Sequence, residues 1–243
     1  MKKVIAYPLS VIYYIAFGLT LGIFHIIQWL SFNIGGPQAH KVSVDYFNVV
    51  LVWCLRILGI RFTFINEQRL PQDKPIIFVS NHQSMYDVSP LYVFLKPYHI
   101  KFVAKKELGR WLPGVSYNLN HGGSVVIDRR NPRQAISALK KFAEYIEKNR
   151  YAAVIFPEGT RSRNGLPKKF RPDGLKVLMK FAPSAALVPI TINNSWKIDA
   201  NGAFPLNLGI DITIQVHEPI EPGDLDIESR IAMAEKSIVG SII

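Results

Sequence analysis

With 243 residues, 49% of them hydrophobic, and a mean hydropathy of +0.13, the chain can bury a full core and is more apolar than an ordinary water-soluble domain. Its formal charge of +11 points to anionic partners, either nucleic acid or an anionic membrane surface with anionic ligands. The single cysteine, Cys54, excludes an internal disulfide and a thiolate metal cluster.

The apolar excess is concentrated at the start. From Val4 to His40 there is no Asp, Glu, Lys or Arg, a stretch longer than the roughly 20 residues that cross a bilayer core. A cleaved signal peptide fits it less well, because the run is too long and ends on no small-x-small site. GGPQ (Gly35–Gln38) splits the region into two apolar segments, about Val4 to Phe32 and Val44 to Leu58, with Gly59 as a stop. Cys54 lies inside the second, in VVLVWCL, and reads as a buried small hydrophobe. Basic residues flank both segments (Lys2, Lys3, Lys41, Arg56, Arg61), so charge asymmetry sets no crossing direction. The expectation is a helical hairpin over residues 1–60 lying in or dipping into the cytoplasmic leaflet, followed by a second unit over 61–243. Nothing in the chain reads as a zinc finger, an RNP motif or a helix-turn-helix, so no nucleic-acid partner is expected.

From Ile60 onward short β-like runs alternate with helical stretches. Strands are predicted at 61–65, 75–80, 100–104, 124–128, 152–156, 186–192 and 210–217, and helices near 87–95, 105–112, 132–149, 172–182 and 225–238. The clearest helix start is Asn131-Pro132, an N-cap followed by Pro at the first helical position, with Ala135, Ile136, Leu139, Phe142 and Ile146 along one face. This alternation predicts an α/β fold, a mostly parallel mixed sheet flanked by helices. Ligands in such sheets bind outside the carboxyl ends of the strands. The loops after Ser80, Ala104, Asp128 and Phe156 therefore share one rim.

Four stretches on or beside that rim carry the chemistry. NHQSMYD places His82 five residues before Asp87. Five residues along a regular helix is about 500° of rotation, so the two side chains meet only if His82 lies in the turn and Asp87 in the first turn of the helix. Such a pair would fix the imidazole tautomer and leave the other ring nitrogen free to take a proton. Simple helix capping by Ser80 or Asn81 is the competing reading. FPEGTRS (Phe156–Ser162) offers Gly159 for a tight turn and Arg161 as a fork donor suited to phosphate, within a basic run ending at Arg171. KKELGRWLPG adds Lys105 as a cation beside the rim, and GGSVVIDRR follows it. Pro189, in VPITI, implies a strand edge, a bulge, or a backbone shaped around a ligand.

In order, NHQSMYD, GSVVIDR, FPEGTRS and VPI resemble the four blocks of the glycerolipid acyltransferase family, the 1-acylglycerol-3-phosphate acyltransferases. The likeness spans roughly residues 75–195. It implies His82 as general base with Asp87 orienting it. It implies that Arg129, Glu158, Thr160 and Arg161 hold a phosphate-bearing acceptor in a pocket shaped by Gly159, with Lys105 nearby. Relatives often follow the third block with a Lys-x-Gly turn; here KKFRPDGLK interposes Pro172-Asp173, and Lys169 takes that place. The implied reaction moves a fatty acyl group from an acyl thioester, acyl-CoA or acyl carrier protein, to the sn-2 hydroxyl of a lysophospholipid acceptor, 1-acylglycerol 3-phosphate, forming phosphatidic acid. It needs no cofactor and no metal, and it takes place on the membrane lipid bilayer at the cytoplasmic face of the inner membrane. No G-x-S-x-G elbow is present, which argues against an acyl-enzyme. The alternatives are the same chemistry on another lyso-lipid, such as a lyso-aminolipid, and a non-catalytic lipid-binding module. NNSW (Asn193–Trp196) lies outside the family pattern.

Overall fold

Residues 2–223 and 225–243 are described by the structure, a computed structural model. Each of the seven apolar runs forms a strand: β1 (Arg61–Ile65), β2 (Ile76–Ser80), β3 (Lys101–Lys105), β4 (Val125–Ile127), β5 (Ala152–Ile155), β6 (Ala186–Asn193) and β7 (Asp211–Val216). They form a single sheet in the order β1-β7-β6-β2-β5-β3-β4. Every neighbouring pair is parallel except β6 with β7. The central strands β2, β5 and β6 are buried along their whole length, as continuous apolar runs covered on both faces must be.

The helices are α1 (Lys2–Leu55), α2 (Val88–Phe94), α3 (Leu108–Trp111), α4 (Val115–His121), α5 (Pro132–Asn149), α6 (Asp173–Phe181) and α7 (Ile227–Val239). On one face of the sheet, Leu139, Phe142 and Ile146 of α5 pack with Leu175 and Leu178 of α6 and Ile231 and Ile238 of α7 against Ile77, Val79 and Leu187. On the other face, Tyr13, Cys54, Leu55 and Leu91 pack against Phe78, Val188 and Ile190. Cys54 is buried, as its apolar run implies.

α1 is two arms joined at Gly36. That residue has φ 71° and ψ −166°, a backbone conformation essentially reserved for glycine. Pro37 then opens the second arm at the position where its missing N–H costs nothing. The break is thus one residue wide, and the stretch between the two expected segments is itself helical. The arms fold back on each other: Thr20 Oγ1 lies 3.7 Å from Cys54 Sγ, and the rings of Phe24 and Phe47 are 5.5 Å apart. Gly59, at φ 70°, ends the 3₁₀ turn after the second arm. By length and composition this helix can cross a membrane. One side of it exposes Ile5, Ile12, Ile15, Leu19, Ile23 and Ile26. Its other side contributes Tyr13 and Cys54 to the sheet's own core, so residues 1–60 and 61–243 share one hydrophobic interior.

α4 falls in a stretch to which the sequence pattern assigns no element, and Pro189 sits in a central strand, not an edge. The bulge reading holds for Pro189. Pairing on its β7 side runs from Ile190–Val216 to an isolated bridge Leu187–Ile220, a one-residue offset that leaves no partner waiting for an N–H at position 189.

Candidate active site

β6, β2 and β5 lie side by side and end on the same rim, so the loops that leave them are neighbours. Asn81, directly after β2, is fully buried, and its amide donates to Ile192 O (2.8 Å) and accepts from Ile192 N (2.7 Å). The side chain thereby prolongs the β2–β6 pairing and fixes where the next residue emerges. That residue, His82, lies outside any helix or strand, and a 3₁₀ turn (Met85–Asp87) then leads into α2. His82 Nδ1 lies 2.8 Å from Asp87 Oδ2. The same carboxylate oxygen accepts from the backbone N–H groups of Gln83 (2.8 Å) and Ser84 (2.9 Å). The turn is capped neither by Ser80 nor by Asn81 but by a box of Ser84 and Asp87, so the carboxylate that meets His82 also caps the turn. A carboxylate at Nδ1 requires that nitrogen to carry the proton, which leaves Nε2 as the basic one. The ring is held flat against Phe156, with centroids 4.2 Å apart and planes inclined by 16°. The imidazole retains 19% exposure, while Asp87 has none.

The loop after β5 is tied to His82 by its main chain. Glu158, 2% exposed, accepts from His82 N through Oε1 and from Lys168 N through Oε2, both at 2.8 Å. Ser162 N donates to His82 O at 2.7 Å. Burial raises the Glu158 carboxyl above its ordinary pKa, and the two N–H groups work against that rise. With both oxygens held by backbone, Glu158 ties the two loops together.

Gly159, at φ 70°, makes the turn that follows. A Cβ there would come 3.7 Å from Arg171 Cδ and 3.8 Å from an Arg129 guanidinium nitrogen. Arg129 arrives from the end of β4, and Arg171 is brought back to the turn by its own N–H, which donates to Pro157 O at 2.9 Å. Arg129 is exposed as a whole, but its guanidinium end packs on this turn. Desolvation there, and then the charge of Arg171, lower its pKa. Among the described residues, neither these two arginines nor Arg161 forms an ion pair. Glu107 acts on Arg129 in the opposite sense, and guanidinium forks are groups suited to phosphate.

A family model for acyltransferases, described as "Acyltransferase", matches residues 61–193, more than half of the chain and all of the rim. The chain belongs to the acyltransferase family. A chloroplastic 1-acyl-sn-glycerol-3-phosphate acyltransferase of Arabidopsis thaliana is 31% identical over 172 residues, covering 69% of this chain and 47% of the relative. The 1-acyl-sn-glycerol-3-phosphate acyltransferase of Helicobacter pylori is 37% identical over 134 residues, covering 51% and 53%. The chain thus spans about half the length of these curated relatives. The crystal structure of the 1-acyl-sn-glycerophosphate acyltransferase PlsC from Thermotoga maritima superposes with a TM-score of 0.77 over 99% of this chain and 95% of that one. At 22% identity that match speaks for a shared fold, N-terminal helical region included.

Within this acyltransferase fold the structure unites His82 with Asp87, and Arg129 with Gly159. Arg161 is half-buried on the same loop as Gly159. Thr160, Lys105 and Lys169 are exposed on the rim, and neither lysine is ion-paired among the described residues. Beside Gly159 lies Arg171, which the sequence shows only as one more member of a basic run. NNSW also acquires a role. Ser195 Oγ donates to Gln83 Oε1 (3.4 Å), and Gln83 Nε2 to Gly165 O (3.3 Å). Trp196 fills the space a side chain at Gly165 would need, 2.4 Å from its Cβ position. The segment braces the residue next to His82.

Proposed function

We propose that this chain is a membrane-bound acyltransferase that moves a fatty acyl group from an acyl thioester to the sn-2 hydroxyl of 1-acylglycerol 3-phosphate, giving phosphatidic acid. The observation that carries this reading is the 2.8 Å contact of His82 Nδ1 with Asp87 Oδ2, on the rim that also bears the unpaired Arg129–Arg171 cluster. His82 Nε2 takes the proton of the acceptor hydroxyl as its oxygen attacks the thioester carbonyl, and Asp87 stabilises the imidazolium formed. The tetrahedral oxyanion collapses, the carbon–sulfur bond breaks, and the thiolate recovers the proton from the imidazolium. Arg129, Arg161 and Arg171 bind the acceptor phosphate and so fix the hydroxyl to be acylated. The relatives named as 1-acyl-sn-glycerol-3-phosphate acyltransferases support this choice of acceptor. The exposed apolar side of α1 supports attachment to the leaflet in which a single-chain lipid acceptor resides.

The test is an acceptor-by-donor matrix with purified protein. Lysophosphatidic acid, lysophosphatidylethanolamine and a lyso-aminolipid are each offered with acyl-CoA and with acyl carrier protein thioesters. Transfer to lysophosphatidic acid, abolished in His82→Ala, is the expected result. Transfer that survives His82→Ala refutes the general-base role, and a preference for an acceptor without a phosphate monoester refutes the substrate assignment.

A further inference from the structure

A cavity of about 640 Å³ lies at the opposite end of the sheet from His82. Its walls come from the amino ends of the strands: Ile100 and Lys101 at the start of β3, Ser124 and Val125 at the start of β4, and Tyr151 just before β5. Lys101 opens the strand whose last residue, Lys105, is on the rim. Four steps of about 3.3 Å place the two ends ~13 Å apart, so this is not an extension of the acceptor site. α5 and the second arm of α1, just past the Gly36 break, complete the enclosure.

Its charge is one-sided. Lys41, Lys96, Lys101 and Lys141 line it, against Asp45 as the only acid among the lining residues. Asp45 is already engaged, 2.6 Å from Lys41 Nζ and 3.7 Å from Lys96 Nζ. Lys101 and Lys141 have no ion pair among the described residues. The Lys101 ammonium lies over the Tyr151 ring, 5.5 Å from its centre. Burial first, and then the charge of Lys41, push the amine down to about 8. Asp45 acts in the opposite sense but does not cancel the cost, and a buried ammonium without an ion pair of its own is relieved by an anion. His40, 2% exposed and also in the lining, has a buried Nε2 with no hydrogen-bond partner.

The cavity's place on the hairpin says where the anion comes from. Phe32, Pro37 and Lys41 belong to its wall, and Ile34 (82% exposed) and Val42 (50% exposed) flank those residues on α1. Exposed apolar side chains beside lysines that line the cavity match the boundary between acyl chains and phosphates of a bilayer. We propose that this cavity is a second anion site that takes the phosphate of an anionic glycerophospholipid headgroup, separate from the site that binds the acceptor. Lys101 and Lys141 supply the charge, with Tyr145 and Tyr151 as apolar walls. A lipid of the surrounding leaflet held there fixes the hairpin at headgroup depth. The proposal stands apart from the acyl-transfer reading, because its readout is binding.

The test is calorimetric titration of the full chain with dihexanoyl phosphatidylglycerol below its micelle concentration, with dihexanoyl phosphatidylcholine and inorganic phosphate as comparisons. The expected result is one site for the glycerol lipid, with phosphatidylcholine and phosphate each about tenfold weaker or more. The double variant K101M/K141M weakens the site by about tenfold or more, in line with loss of charge-assisted contacts. Ala138→Trp, which fills the cavity from α5 and leaves every charge in place, abolishes it, and Arg161→Ala leaves it unchanged. Should the double variant fail to fold, Ala138→Trp decides alone. Binding that survives Ala138→Trp, or that disappears in Arg161→Ala, overturns the proposal. Phosphate binding as tightly as the lipid reassigns the cavity to free phosphate and overturns the lipid assignment.

Discussion

Replacing Glu158 by Gln separates a scaffolding carboxylate from a reacting one. Both oxygens accept backbone N–H groups at 2.8 Å, one from His82 and one from Lys168, and the residue is 2% exposed. A hydrogen bond to a charged group contributes about 1.5–3 kcal/mol, and a neutral one about 1 kcal/mol. Gln keeps a single acceptor oxygen. One N–H therefore retains a weakened neutral bond, while the other faces an amide NH₂ with both donors buried. The loss is partly offset because a neutral amide is cheaper to bury than a carboxylate whose pKa burial has already raised. The balance is about 2 kcal/mol of destabilisation. At roughly 2–4 °C per kcal/mol for a chain of this size, that is a fall in Tm of about 4–8 °C. Differential scanning fluorimetry in a mild detergent reads it. The turnover number falls too, because His82 is displaced with its loop, but less than in His82→Ala. An unchanged Tm together with a loss of activity equal to that of His82→Ala refutes this reasoning and makes Glu158 a participant in the chemistry.

The other predictions concern single groups. Asp87→Asn keeps an oxygen for the N–H groups of Gln83 and Ser84 but removes the charge facing His82; kcat falls by about 10²–10⁴ with the far-UV spectrum unchanged, and activity within tenfold of wild type contradicts the pairing. Arg171→Ala raises KM for a phosphate-bearing acceptor by about tenfold or more, the value of a lost charge-assisted bond; a KM equal to that of wild type would falsify its place in the phosphate site. For Lys101, whose pKa is lowered from 10.5 to about 8, the ammonium is costly in the fold below about pH 8, and the cost disappears as pH rises toward the unfolded value. Lys101→Met therefore stabilises the protein by about 1–2 kcal/mol at pH 7 after the lost contact with Tyr151 is counted. That gain in Tm shrinks as pH rises from 8 toward 10.5, and a gain that grows with pH contradicts the burial argument.

Elements whose sequence carries its own punctuation were legible. α5 begins where Asn131-Pro132 place it, with the Asn131 side chain accepting from Gln134 N at 3.1 Å. α4 is different. It lies among Asn and His residues after Pro113-Gly114 without a capping side chain, and it is held by distant partners: Asn118 donates to the Tyr92 hydroxyl (3.0 Å), and Gly114 N donates to His25 (3.1 Å). No periodicity announces such a helix. The site divides the same way. His82 and Asp87 are close in sequence, so their meeting could be argued from helix geometry. The approach of Arg171 to Gly159 depends on a loop returning to Pro157 O, and in a run of basic residues nothing local marks which one returns.

The hairpin adds a constraint that neither the site nor the apolar surface carries alone. Tyr13, 1% exposed, meets Tyr86 of the His82 loop edge-on at 6.2 Å. Ser10 Oγ accepts from Leu206 N at 2.9 Å, and Tyr14 donates to Ala203 O. The chain just before that loop carries Asp199, which accepts from Ser84 Oγ at 3.3 Å. The first arm is thus tied to both sides of the turn that holds the His82–Asp87 pair. Tilting it away means exposing Tyr13, which forfeits roughly the 1.5–3 kcal/mol of a large buried side chain, and breaking two hydrogen bonds as well. A hairpin built only as an anchor needs none of these contacts. Their presence means that the surface bearing Ile5, Ile12 and Ile15 and the imidazole of His82 move as one body. On the reading proposed here, the depth of the hairpin in the leaflet then sets the height at which the acceptor hydroxyl meets Nε2.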